Sequence, residues 1–357
     1  MEYRHNIKDI NNLKNLDECK KQIYDKNRFI GRGGQGSVFK IESEKCGGIV
    51  LKTYHKKTNQ DEIYKEVNVL DRVKKIIDNN ICPHFIYYYD FFKTNENNDI
   101  IFNIFMEYAD GDLEKWVKTE HNMEEWKNLI FQFIIGVHVI QKYLKGFHSD
   151  LKPKNIFFKN IKKENGYFEY SINEKKYYLK NIGTLFMLAD YGHLQSTFFD
   201  SNKMSEEDIL SSIRENQDFD FMKDFGNRIK VTNLMNKYKL DDLISKFRDN
   251  DKFNTYHKQE KDNIEKIMKN YPLHIREKFL FRSLLYYCLE ENLLNYDSEK
   301  KNLQEDQIPP IFQISEFIEK ILSEKGDIEI ILDKYFKDYQ NKEDKIIHKF
   351  DLNKNFV

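Results

Sequence analysis

Three glycines, Gly31, Gly33 and Gly36, spell GxGxxG, with Val38 two positions later. Lacking side chains, they let the backbone fold closely over a polyanion such as a triphosphate and aim its N–H groups at the oxygens. The motif sits between two predicted strands instead of opening a helix, which separates it from a dinucleotide-binding turn. Sixteen positions after Gly36, Lys52 ends the apolar run 49–51. An ammonium there is poorly placed unless it meets an anion. The next helix offers Glu62 and Glu66, and Glu66 is preferred because Val67 and Leu70 set it beside the apolar face. Taken singly, a glycine turn and a Lys/Glu pair are ordinary surface features, so their meaning depends on motifs farther along the chain.

The elements that must position these groups read from periodicity. Short apolar strands are predicted over 28–30, 38–41 and 48–54, separated by glycine-containing turns. Ile63, Val67, Leu70 and Val73 recur at helical spacing and predict a helix over 59–77. Two further strands are expected at 85–92 and 100–107, and the polar stretch 109–112 marks a domain boundary. Over 123–144, Trp126, Leu129, Ile130, Phe133, Ile134, Val137, Ile140 and Leu144 cover enough of a helix for it to be mostly buried. Alternating aromatic residues from Tyr167 to Leu179 predict a β-hairpin turning near Asn173 and Glu174. The chain from about Met204 reads as chiefly helical.

The most specific signal is the run His148, Ser149, Asp150, Leu151, Lys152, Pro153, Lys154, Asn155, followed by Ala189, Asp190, Tyr191, Gly192. Together with the glycine loop, it resembles the HRDLxxxN and DFG motifs of protein kinases, with Ser149 in place of arginine and Tyr191 in place of phenylalanine. The resemblance implies an α+β, bilobal fold with ATP in the cleft between a β-rich N-lobe carrying one helix (28–108) and a mainly helical C-lobe (109–340). An extension (1–27) precedes the lobes, a tail (341–357) follows them, and the hairpin (165–181) is an insertion.

The same resemblance implies roles. Asp150 would be the base that accepts the substrate hydroxyl's proton, Lys152 would reach the γ-phosphate, and Lys52, held by Glu66, would bind the α- and β-phosphates. Asn155 and Asp190 would ligate Mg2+ or Mn2+. Gly31, Gly33, Gly36 and Val38 would cover the nucleotide, and Met106, Glu107, Tyr108 and Ala109 resemble the hinge whose backbone binds adenine. Asp112 either meets the ribose or is a solvated turn acid. Lys152 goes with Ser or Thr acceptors, so the expected activity is serine/threonine protein kinase. His148 is expected to be a packed core residue.

Several features depart from the family pattern. Ser149 removes the arginine that often pairs with a phosphorylated activation loop, which predicts activity without loop phosphorylation. Asp190 follows Asn155 by 35 positions, far more than the family's usual spacing, and the hairpin accounts for the excess. Kinases of large DNA viruses, the giant viruses especially, are similar in this insertion and in the Lys-, Asn- and Tyr-rich composition. No APE motif follows Gly192, and 193–207 shows no obvious anchor. A helix over 220–229, with Asp220 buried near His148, is expected to steady the catalytic loop. Two rival readings are a pseudokinase scaffold and a small-molecule kinase of the aminoglycoside or choline type. Asp150, Asn155, Asp190 and Lys52 argue against the first, Lys152 and the Asp190-Tyr191-Gly192 triplet against the second.

Composition bounds the remaining choices. With 357 residues, 40% hydrophobic and 15% aromatic, the chain can bury a substantial core. A formal net charge of -1 supplies no field for nucleic acid or an anionic membrane, so the expected partner is a protein substrate. The acids Glu107, Asp110, Asp112 and Glu114 suit either a basic substrate or a solvated face. Cys19, Cys46, Cys82 and Cys288 lack CxxC spacing and are expected as thiols in a reducing compartment. The most apolar window, 129–140, is too short to span a bilayer, so a soluble intracellular protein is expected, in host cytoplasm or virion if viral. The sequence sets no oligomeric state.

Overall fold

The computed structural model describes residues 27–41, 49–96, 99–119, 121–199, 205–214, 328–340 and 345–355, with positions 17, 19–21, 218, 222, 317–318, 320–321 and 324. Two compact units divide the chain: 1–120 with 124–218 and 325–357, and 121–123 with 219–324. In the second unit Met222, Ile318 and Ile321 are buried. The elements below build the first.

Five antiparallel strands form one sheet in the order β1-β2-β3-β5-β4. They are β1 Asn27–Arg32, β2 Gly36–Ile41, β3 Ile49–Tyr54, β4 Tyr88–Glu96 and β5 Asp99–Glu107. The β1–β2 turn is closed by Gly33 N–H donating to the Gly36 carbonyl at 2.8 Å. Gly36 must be glycine because a Cβ there would lie 2.6 Å from the Thr53 carbonyl oxygen on β3. The strand expected at 85–92 begins only at Tyr88. Its first residues are committed elsewhere: Ile86 N–H donates to the Leu188 carbonyl, and Leu188 N–H to that of His84.

Helix α1, Gln60–Asp78, follows β3 and buries Ile63, Glu66, Val67, Leu70, Val73 and Ile77. Asn59 caps its start by accepting the Asp61 N–H. At its end Asn80 is left-handed, with φ 53. Ile81 N–H reaches the Ile76 carbonyl and Asn80 N–H that of Ile77. This is the Schellman arrangement, in which a left-handed residue satisfies the last carbonyls of a helix.

After β5 come β6 Gly111–Asp112 and the single-turn helix α2 Leu113–Trp116, then α3 Met123–Tyr143. Ile130, Phe131, Ile134, Val137 and Ile140 on α3 are almost fully buried, as the wide apolar face predicts. Two polar residues share that environment because each has partners. Gln132 donates to Asn128 Oδ1 and accepts the Phe186 N–H, while Asn128 donates to the Lys180 carbonyl. Strands β7 Gly146–Phe147, β8 Ile156–Asn160, β9 Tyr167–Ile172, β10 Lys175–Lys180, β11 Thr184–Leu188 and β12 Gln195–Ser196 come next, then α4 Glu206–Arg214 and α5 Ile328–Tyr335. The expected hairpin is present as β9 and β10, with Tyr170 opposite Tyr177 and a left-handed Asn173 at the turn. No helix among the described residues is long and apolar enough to cross a membrane.

The stretch designated a tail contains β13, Ile346–Asp351, which pairs in parallel with β9 to give the sheet order β10-β9-β13. The pairing needs a partner strand nearly 180 residues away, beyond the reach of local pattern. One expectation is corrected: Cys19 is disulfide-bonded instead of a thiol. Spacing along the chain carries no information on which sulfurs meet in space.

His348 in β13 donates from Nε2 to Asn80 Oδ1 at 2.8 Å. Burial first, then neighbouring positive charge including that of Lys354, lowers its pKa to about 4. In the unfolded chain the ring titrates at about 6.5, so as pH falls the unfolded state takes up the proton first. Stability from neutral His348 is complete above about 6.5 and is lost as pH falls toward 4. In thermal melts, Tm is expected to decline less steeply between about pH 6.5 and 4.5 in His348→Gln, whose amide still donates, than in the wild type. Equal slopes would remove His348 from the acid response.

Candidate active site

One cleft of about 430 Å³ gathers most of the residues singled out by type and spacing. Lys52, Glu66, Asp150, Lys152, Asn155 and Asp190 line it, with Gly33, Gly36, Val38, Met106, Glu107, Tyr108 and Ala109. Gly31 and Asp112 do not. Asp112 instead caps α2, its Oδ1 accepting the Lys115 N–H at 2.9 Å.

The cationic corner is built by β3 and α1. Lys52 Nζ lies 2.6 and 2.9 Å from the two carboxylate oxygens of Glu66. Tyr54, two positions after Lys52 and therefore on the same strand face, donates its hydroxyl to Glu66 Oε2 at 2.6 Å. Its ring also faces the Lys52 ammonium at 4.8 Å. Burial, then the Glu66 charge, pushes the Tyr54 phenol far above its ordinary range, so it stays a donor at every accessible pH. Glu62, the other acid considered, accepts a long contact from Gln35 in the glycine loop at 3.4 Å.

The opposite wall is the loop between β7 and β8. Asp150 Oδ2 is 2.6 Å from Lys152 Nζ and 3.0 Å from Asn155 Nδ2, which also donates to the Asp150 carbonyl. With Nδ2 so committed, Asn155 has its Oδ1 left to offer a hard cation. Ala189 N–H donates to the Asn155 carbonyl at 3.0 Å, placing Asp190 next to that oxygen. Asp190 and Ser149 are both left-handed, with φ 66 and 61. Such backbone is costly without glycine and must be held by its surroundings.

A buried carboxylate and an imidazole do the holding. Asp218 accepts the N–H of His148 at 2.7 Å through Oδ2 and that of Ser149 at 3.0 Å through Oδ1. This corrects the expectation of Asp220, which lies outside the described residues. The two aspartates flank Phe219, and only the fold selects between them. The Ser149 hydroxyl donates to the His193 carbonyl. His148 is fully buried and its Nε2 donates to the Ala189 carbonyl at 3.0 Å. That tautomer leaves Nδ1 without a hydrogen and without a partner. Burial lowers the pKa of the ring, which stays neutral.

The apolar part of the cleft comes from Ile30, Val38, Val50, Ile86, Met106 and Phe157. Of these, Ile30, Val50, Ile86 and Phe157 belong to no motif and were not expected from the sequence, although Val50 shares the strand face of Lys52 and a signal was therefore available. Of the acidic run near the cleft mouth only Glu107 is buried, and the others stay partly exposed. Glu107 pairs with Lys159 at 2.7 Å with its side chain fully buried, Asp110 accepts the Asn160 N–H, and Glu114 lies 3.9 Å from Lys154. The stretch 193–207 is anchored. Strand β12 pairs with β7, and the Arg72 guanidinium of α1 lies 4.6 Å from the Phe198 ring and 5.5 Å from that of Phe199.

Removing the hydroxyl in Tyr54→Phe deprives a buried carboxylate of one donor. The expected cost is about 2 kcal/mol in urea unfolding, the scale for a hydrogen bond to a charged group. An unchanged midpoint would mean that water replaces the phenol.

The family model described as Protein kinase domain matches residues 24–205, just over half of the chain. No curated protein matches it.

Proposed function

This chain belongs to the protein kinase family, whose activity is phosphoryl transfer, and we propose that it moves the γ-phosphoryl group of MgATP to serine or threonine hydroxyls of a protein substrate. The observation that carries the reading is the convergence on one cleft of Lys52 paired to Glu66, Asp150 paired to Lys152, and Asn155 beside Asp190. In this reading the sheet with α1 is one lobe (28–108), the remainder to 340 is the other, and the apolar wall takes adenine.

Each group has a task that its surroundings suit. Asp150 accepts the proton of the acceptor hydroxyl and orients it toward the γ-phosphorus. Lys152, two positions on, offsets charge on the γ-phosphate and favours a Ser or Thr acceptor. Lys52, kept in place by Glu66 and Tyr54, meets the α- and β-phosphates. Asn155 Oδ1 and the Asp190 carboxylate would hold Mg2+, which would supply positive charge against that of the phosphates. Two ligands from the chain would be enough for a cation of this kind, which also takes oxygens from phosphate and water.

Activity without loop phosphorylation is part of this proposal. Ser149, where many kinases have arginine, is tied to the His193 carbonyl, and the segment beyond is joined to α1 by Arg72 over Phe198 and Phe199. A cation stacked on aromatic rings here takes the place of a cation paired with phosphate. The insertion and composition keep the likeness to kinases of large DNA viruses within the reading.

The test is transfer from MgATP to the protein itself and to a basic model substrate. Asp150→Ala is expected to lose at least about 100-fold in kcat and Asp190→Ala to abolish transfer. If the wild type transferred nothing while ATP still raised Tm, a nucleotide-binding scaffold would replace the enzyme. Phosphatase treatment should leave the rate unchanged, whereas Arg72→Ala should lower kcat/KM by roughly threefold, the scale of an exposed cation–π contact. A rate that vanished on dephosphorylation and returned with one loop phosphate would refute the second claim.

A further inference from the structure

Two features lie outside the family pattern, the β9–β10 hairpin and the C-terminal strand β13, which begins 141 positions after the family match ends. They form one structure. Asn353 accepts the Asn173 N–H and donates back to its carbonyl, locking the hairpin turn. Gly166 at the hairpin's foot has φ 143, and a Cβ there would lie 2.6 Å from the Lys345 carbonyl oxygen, so the foot is shaped to receive this strand. Leu352 is fully buried, and its carbonyl accepts from Lys142 and Tyr143 at the end of α3.

The far side of β13 is tied to the two residues that terminate α1. His348 Nε2 donates to Asn80 Oδ1 at 2.8 Å, Asp351 N–H to the Asn80 carbonyl at 3.0 Å, and Lys354 Nζ to the Asn79 carbonyl at 2.7 Å. Asn80 is also the left-handed residue of the Schellman cap. A hydrogen-bonded helix moves nearly as a rod, so holding its last turn constrains Glu66, 13 positions earlier and about 20 Å along the axis.

We propose that β13 is a positioning element: by clamping the end of α1 to the hairpin and to α3, it sets the pose in which Glu66 meets Lys52. The clamp acts on the same site as the proposed transfer and rests on that reading for its effect on rate. None of its residues lines the cleft.

The experiment uses the full chain and the double variant Asn80→Gly with Lys354→Met. Glycine keeps the left-handed backbone of the cap, so the helix end is preserved while two side-chain ties are removed. Well below Tm, amide exchange within 63–77 is expected to quicken and kcat/KM for MgATP to fall by about fivefold, the factor equivalent to one hydrogen bond of about 1 kcal/mol. Lys354→Arg, which retains a donor, should behave as the wild type. Faster exchange confined to 345–355, with α1 protection and kcat/KM unchanged, would reduce β13 to a purely stabilising strand and overturn the inference. If the wild type transfers nothing, the enzymatic reading falls, and exchange within α1 alone decides this one.

Discussion

Most of the first unit can be understood from the cost of burying the Lys52–Glu66 pair. An ion pair withdrawn from water repays its desolvation only when geometry is good and the remaining lone pairs are occupied. Here the side chains are 12% and 3% exposed, and a phenol supplies the extra donor. That solution requires β3 and α1 to meet at one register, with Lys52 and Tyr54 on the same strand face and Glu66 on the buried side of the helix. The capped ends of α1 and the antiparallel order of the sheet are what maintain it.

Across the cleft the problem is backbone strain instead of buried charge. Ser149 and Asp190 adopt left-handed conformations that aim Asp150 and Asp190 into the cavity. Asp218 takes both amides of the loop, and neutral His148 links it to the Ala189 carbonyl. A protonated imidazole in that position would be a fully buried cation, and its desolvation outweighs the pull of Asp218, Asp190 and Asp150, so the ring is held neutral. The site thus stores strain where it does its work and recovers stability from a satisfied polar network behind it.

The hairpin and β13 show how the last strand of the chain is tied into the core. Tyr170 stacks on His84, packs edge-on to Phe131 of α3 and lies 5.0 Å from Phe350 of β13. His84 in turn contacts the Phe186 carbonyl of β11. The hairpin is therefore part of the core on the α3 side, and it brings β13 beside the end of α1.

The sequence by itself determined what depends on local spacing. The glycine loop, the helical period of 59–77, the two-residue period of the hairpin and the ordered motifs at 148–155 and 189–192 all report on neighbours within a few positions, where backbone geometry dictates which side chains share a face. It did not contain, in readable form, the choice of Asp218 over Asp220, the structural use of Asp112 and Glu107, the packing of Arg72 on Phe198, or the strand at 346–351. Apart from the local cap made by Asp112, each of these is a contact between groups dozens to hundreds of positions apart. Only the tertiary structure decides them, because satisfying a buried carboxylate or an unpaired strand depends on what the whole chain brings within about 3 Å, the reach of a hydrogen bond.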